Sequence, residues 1–85
     1  MQLEIERAAA RRLLDLPPKM QASMMRRLEA IAEAPFALHA NVAPMAGMKD
    51  CYRLRLGDWR AIYRIERSSA TLRVLKIAPR GEAYR

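Results

Sequence analysis

Cysteine is almost missing from these 85 residues. Cys51 stands alone, so no intrachain disulfide can form, and neither a cysteine-based zinc cluster nor a redox pair can be assembled. A reducing, cytoplasmic setting is therefore expected. Histidine is as scarce: His39 is single, and a lone histidine in a loop is a poor base or metal ligand, so it is assigned no role. No apolar run approaches the length of a membrane span. The start, Met1 to Glu6, places Glu4 and Glu6 where a signal peptide needs basic residues followed by an apolar stretch. Neither membrane insertion nor secretion by that route is expected. Glycine and proline, three and five in number, are too few for a disordered or collagen-like chain. What remains is one small domain over residues 1–85, with little surface to bury and a thin margin of stability.

Acidic residues are also in short supply. Sixteen basic side chains face nine acidic ones, for a net charge of +7, and such an excess attracts polyanions. It is unevenly spread. Residues 1–50 hold seven basic and six acidic residues, while residues 51–85 hold nine and three. Thirteen of the sixteen cations are arginine, whose planar fork of donors matches phosphate. A basic surface is more often simply solvated, so the face that carries the arginines decides its meaning.

The hydrophobic pattern predicts an α+β fold. Leu3 and Ile5 alternate with polar neighbours as a short half-buried strand does. Ala9, Leu13 and Leu16 then recur at helical spacing until Pro17-Pro18 ends the segment. The same prolines can open a second helix, with Met20, Met24, Leu28 and Ile31 on its apolar stripe and Pro35 at its end. Methionines on such a stripe fill core gaps. Residues 36–50 show no period and contain Pro44 and Gly47, which reads as a long surface connection. Three strands complete the chain: 52–56, 59–65 and 71–77, with Pro79 breaking the last one. The expected architecture is an N-terminal strand, a two-helix hairpin and an antiparallel three-stranded meander, all in one sheet.

Gly57-Asp58 is a two-residue hairpin turn, and it sets a register. Leu56 should face Trp59, Arg55 should face Arg60, Leu54 Ala61, and Arg53 Ile62. Arg53, Arg55 and Arg60 then share one face. Like charges opposite one another destabilise a sheet, and an anion between them removes the conflict. A phosphate accepts bidentate hydrogen bonds from two guanidiniums, and such a cluster can also offset the added charge of a pentacovalent transition state. Two plainer uses stand beside this one: guanidiniums splayed into water, or paired with the acids of a protein partner. Tyr84, beside Arg80 and Arg85, is suited to base stacking or to anchoring the tail. Trp59 and Tyr63 alternate away from Arg60 and read as core.

The stretch from Gly47 through Tyr52-Arg53-Leu54-Arg55, the Gly57-Asp58 turn and Arg60-Ala61-Ile62-Tyr63 resembles the central hairpin of RelE/ParE toxins. The ending Arg80-Gly81-Glu82-Ala83-Tyr84 resembles their closing motif, and Leu16-Pro17 resembles their helix junction. The similarity spans essentially the whole chain. RelE-type members cut mRNA in the ribosomal A site, using the message's own 2′-hydroxyl and no metal. By that resemblance the catalytic set is Arg53, Arg55, Arg60, Arg80 and Tyr84, with no cofactor and no metal site. Arg60 and Arg80 would hold the scissile phosphate, and Tyr84 would orient base or ribose. The implied partners are a cognate antitoxin, the ribosome and mRNA. Arg53 and Arg55 stand where some members carry lysine, and a guanidinium is a poor general base. The loop before the hairpin also lacks the basic residues many members carry. The alternative within the same resemblance is a ParE-like inhibitor of DNA gyrase, which acts by binding and needs no catalytic set. Arg60 and Arg80 are expected to be exposed, so that removing either costs the fold little.

Overall fold

The structure, a computed structural model, describes residues 1–81. Strand β1 (Gln2–Ile5) leads through Glu6 into helix α1 (Arg7–Leu13), and helix α2 (Pro18–Glu33) follows. Four more strands come next: β2 (Val42–Pro44), β3 (Cys51–Leu56), β4 (Trp59–Glu66) and β5 (Thr71–Pro79). They form a single five-stranded mixed sheet in the order β1-β5-β4-β3-β2. β1 runs parallel to β5, and every other pair is antiparallel. The expected α+β plan of strand, two helices and meander is therefore present, with one strand added.

That added strand is β2. Residues 36–50 are not wholly a surface connection, because Val42, Ala43 and Pro44 pair with Leu54, Arg53 and Tyr52. Three residues are too few to show a period of two, and Pro44 suits an edge, where its missing N–H breaks no ladder. Two boundaries also move. Leu16 is buried but lies beyond α1, in the turn before the prolines, and Pro79 ends β5 from within it, opposite Trp59.

The core lies between the helices and one face of the sheet. Met24, Leu28 and Ile31 of α2 and Ala9 of α1 pack with Leu54, Ala61, Tyr63, Leu72, Val74 and Ile77. Tyr63 stacks on Tyr52 at 5.5 Å between ring centroids. Burial, with Tyr52 beside it, pushes the Tyr63 hydroxyl up to about 12. Truncating a buried side chain such as Leu28 to alanine typically costs about 2–5 kcal/mol, a large part of the margin of so small a fold. Among the described residues no helix covers the opposite face. Its apolar content there is a small cluster of Ile62 and Ala78 with Met45, and its rim is basic.

A candidate anion-binding basin

The β3–β4 hairpin has the register its turn dictates: Leu56 opposite Trp59, Arg55 opposite Arg60, Leu54 opposite Ala61 and Arg53 opposite Ile62. Gly57 takes a positive φ of 59°, as a two-residue turn between twisted strands requires. Because side chains alternate, Leu54 and Ala61 enter the core while Arg53, Arg55 and Arg60 emerge together on the uncovered face. β5 extends the same row. Ala78 lies opposite Arg60, which puts Arg80, two residues on, at the same end, and its N–H donates to the Asp58 carbonyl at 2.7 Å.

Two adjoining depressions result. One, of about 430 Å³, is lined by Arg53, Arg55, Arg60 and Arg80 with Asn41, Val42 and Ala43 of the β2 edge. The other, of about 330 Å³, shares Asn41, Arg55, Arg60 and Arg80 and is closed by the turn, Leu56 to Asp58. The arginines are held differently. Arg60 is 8% exposed, and its Nη1 donates to the carbonyls of Gly57 at 2.9 Å and Trp59 at 3.0 Å. Its expected exposure is thus corrected: the guanidinium folds back over the turn, a contact that strand alternation alone does not reveal. Arg55 is exposed, and its Nη2 donates to Asn41 Oδ1 at 3.2 Å. Neither Arg55 nor Arg60 has a carboxylate partner among the described residues.

Four of the five sequence-derived site residues therefore converge. Tyr84, the fifth, lies outside the described residues. Sequence reasoning missed Asn41 and Asp58 as lining residues. Asn41 sat in a stretch without period, and its weak signal was the tolerance of asparagine for left-handed backbone, which it adopts at φ 61°. His39 stands apart, hydrogen-bonded to the Ala34 carbonyl beyond the end of α2. A separate depression of about 480 Å³ lies between α1 and β5, lined mainly by alanines and aliphatic residues with Arg11, Arg12 and Lys76.

At the far end of the same face the cations are matched. Glu66 accepts from Arg64 Nη2 at 2.6 Å and from Arg73 Nε at 3.1 Å. The hydrogen bond from Arg64, supported by Arg73, holds the Glu66 carboxyl below the usual carboxylate range.

Comparison with known proteins follows this geometry. A family model described as the ParE toxin of type II toxin–antitoxin systems matches residues 3–84. No curated protein sequence matches significantly. Among solved structures, the archaeal RelE–RelB complex from Pyrococcus horikoshii OT3 contains a chain 26% identical, with a TM-score of 0.80 and 94% of each chain covered. The intact Escherichia coli RelBE toxin–antitoxin complex contains one 21% identical, with a TM-score of 0.79 over 92% of this chain and 94% of that one. The YoeB/ParE toxin from Agrobacterium tumefaciens is 19% identical, with a TM-score of 0.78 over 93% and 98%. Below 25% identity such likeness establishes the fold alone.

Proposed function

The chain belongs to the ParE toxin family of type II toxin–antitoxin systems, within the RelE/ParE superfamily, and from that premise we propose that it is a ribosome-dependent endoribonuclease acting on mRNA. The observation that carries this reading is the convergence of Arg53, Arg55, Arg60 and Arg80 on one basin. Arg55 and Arg60 sit directly opposite one another, an arrangement that destabilises a sheet unless something negative lies between. A toxin that inhibits gyrase by binding needs no phosphate-binding cluster.

In this reading the scissile phosphate binds in the basin. The 2′-hydroxyl oxygen of the preceding nucleotide attacks phosphorus and gives up its proton to solvent. The bond to the 5′-oxygen of the next nucleotide breaks, and that oxygen takes up a proton. The products are a 2′,3′-cyclic phosphate and a 5′-hydroxyl. The guanidiniums remain charged throughout, so their contribution is alignment and stabilisation of the developing negative charge. Removing one such preorganised donor typically costs about 10²–10³ in rate. Tyr84 is assigned the flanking base. The solved RelE–RelB pairs support a cognate antitoxin as partner, and an acidic antitoxin segment suits the same basin.

Primer extension on mRNA from a translating extract tests the proposal: cuts in register with codons, dependent on the protein, are expected. The match to a ParE toxin model keeps a second reading in view, inhibition of DNA gyrase by protein contact. Intact mRNA together with gyrase-dependent DNA breaks would establish that one instead.

A further inference from the structure

Asn41 has an unusual position for a residue that the arginine pattern does not predict. It takes left-handed backbone at φ 61°, immediately before β2. Its carbonyl accepts the Arg55 N–H at 2.9 Å, which carries the β2–β3 ladder one step past Val42. Its side-chain Oδ1 accepts Arg55 Nη2 at 3.2 Å. It also lines both depressions of the basin. One residue thus fixes both the main chain and the guanidinium of Arg55.

That second bond matters because of what Arg55 faces. Across the hairpin lies Arg60, locked to the turn carbonyls, and two like charges repel. A long exposed side chain in that position gains entropy and loses repulsion by swinging into water. A carboxylate would hold it, as Glu66 holds Arg64, but would cancel the charge an anion needs. A neutral amide oxygen holds it and leaves the charge intact.

We propose that Asn41 is a positioning residue that presets the Arg55 guanidinium beside Arg60, so that a phosphodiester meets a ready-made pair of forks. The purpose rests on the RNA reading of the basin; the restraint on Arg55 is independent of it. The simpler explanation is that asparagine is there because it tolerates left-handed backbone. Asn41→Gly separates the two, since glycine keeps that backbone at no steric cost and removes the amide.

Two measurements test the proposal, on Asn41→Gly, Arg55→Ala and the double variant, with thermal melts confirming that each folds. NMR of the arginine Nε–H groups in the free protein reads the order of Arg55. It should be restrained in the parent and averaged in Asn41→Gly; an equally mobile or equally restrained Arg55 in both overturns the proposal, whatever RNA does. Binding of a non-cleavable 2′-O-methyl RNA oligonucleotide reads the consequence. Asn41→Gly should weaken binding by about threefold to tenfold, the range of one hydrogen bond, and should cost nothing further once Arg55 is alanine. The same loss in both backgrounds would show that Asn41 does not act through Arg55. RNA binding absent from the parent would count against the nuclease reading while leaving the NMR result to judge Asn41.

Discussion

The two ends of the uncovered sheet face use the same residue type on neighbouring strands and treat its charge in opposite ways. At one end Arg64 and Arg73 lie opposite each other and share the carboxylate of Glu66. At the other, Arg55 and Arg60 lie opposite each other, and the bonds they make go to neutral groups: the amide of Asn41 and the carbonyls of Gly57 and Trp59. Both ends are ordered by hydrogen bonds. The first arrangement offsets part of its charge with a carboxylate and the second keeps all of it, so an arginine count alone does not identify a site. What each guanidinium donates to does.

The sharpest way to break this contrast is to delete a cation at each end. Arg60→Ala or Arg80→Ala should abolish growth inhibition and lower codon-registered cleavage by about 10²–10³, whereas Arg64→Ala should leave both near the parental level. Primer extension alongside a growth assay reads the difference, and equal loss at both ends would dissolve the distinction. Arg60→Ala should also lower stability by about 1 kcal/mol in a urea melt, because the carbonyls of Gly57 and Trp59 lose a donor. The exposed Arg80 should not matter to the fold in this way.

A smaller effect is expected on partner association. An antitoxin that covers the basin should associate more slowly as salt rises, and Arg60→Ala should slow it further at low salt while Arg64→Ala does not. Stopped-flow mixing across a salt series decides this. Converting one end into the other is gentler still. Asn41→Asp sets a carboxylate against Arg55, as Glu66 stands against Arg64. It should reduce the slope of log affinity for single-stranded RNA against log salt by about 0.7, the value for one neutralised phosphate contact.

The smallest effects concern pH and lie at the matched end and in the core. Glu66 has a lowered pKa, so its contribution to stability is complete above the ordinary carboxylate range and is lost as pH falls through its own lower value. Glu66→Gln should flatten that acid limb in melts without touching cleavage. Tyr63 has a raised pKa, about 12 against an ordinary 10. Its contribution is complete below pH 10 and is lost as pH rises toward 12, and Tyr63→Phe should remove that alkaline loss.

Much of this arrangement could be read from the chain. The Gly57-Asp58 turn determined every pair of the hairpin, because a two-residue loop leaves one register and side chains alternate without exception along it. The apolar stripe of α2 was equally plain, since Met24, Leu28 and Ile31 return to one side at helical spacing. β2 was not legible, being three residues with proline at the end. The irregularity between Ile62 and Tyr63 in the β4–β5 pairing was also hidden, as nothing in either strand departs from alternation there. Arg60 shows the limit most clearly. Its face was predictable, yet its burial depends on a side chain folding back over a turn, and rotamers of that kind answer to neighbours in space. Asn41 belongs to the same class, since its partner Arg55 is fourteen residues away.

The pairing of β1 with β5 has a consequence for the order in which this molecule becomes itself. Among the described residues β1 comes first in the chain and lies at an edge of the sheet, and β5, the last of the described strands, is its one neighbour. During synthesis the helices can form from local contacts, but Leu3 and Ile5 must wait for Leu72 and Val74 before the sheet can close over the core. Contacts so distant in sequence are slow to form. The basin waits too, because Arg80 follows β5 and docks on the hairpin turn through the Asp58 carbonyl. A nascent chain therefore carries Arg53, Arg55 and Arg60 for some time before they are part of a finished site. The topology thus makes the charged basin depend on β5, which follows the hairpin in the chain.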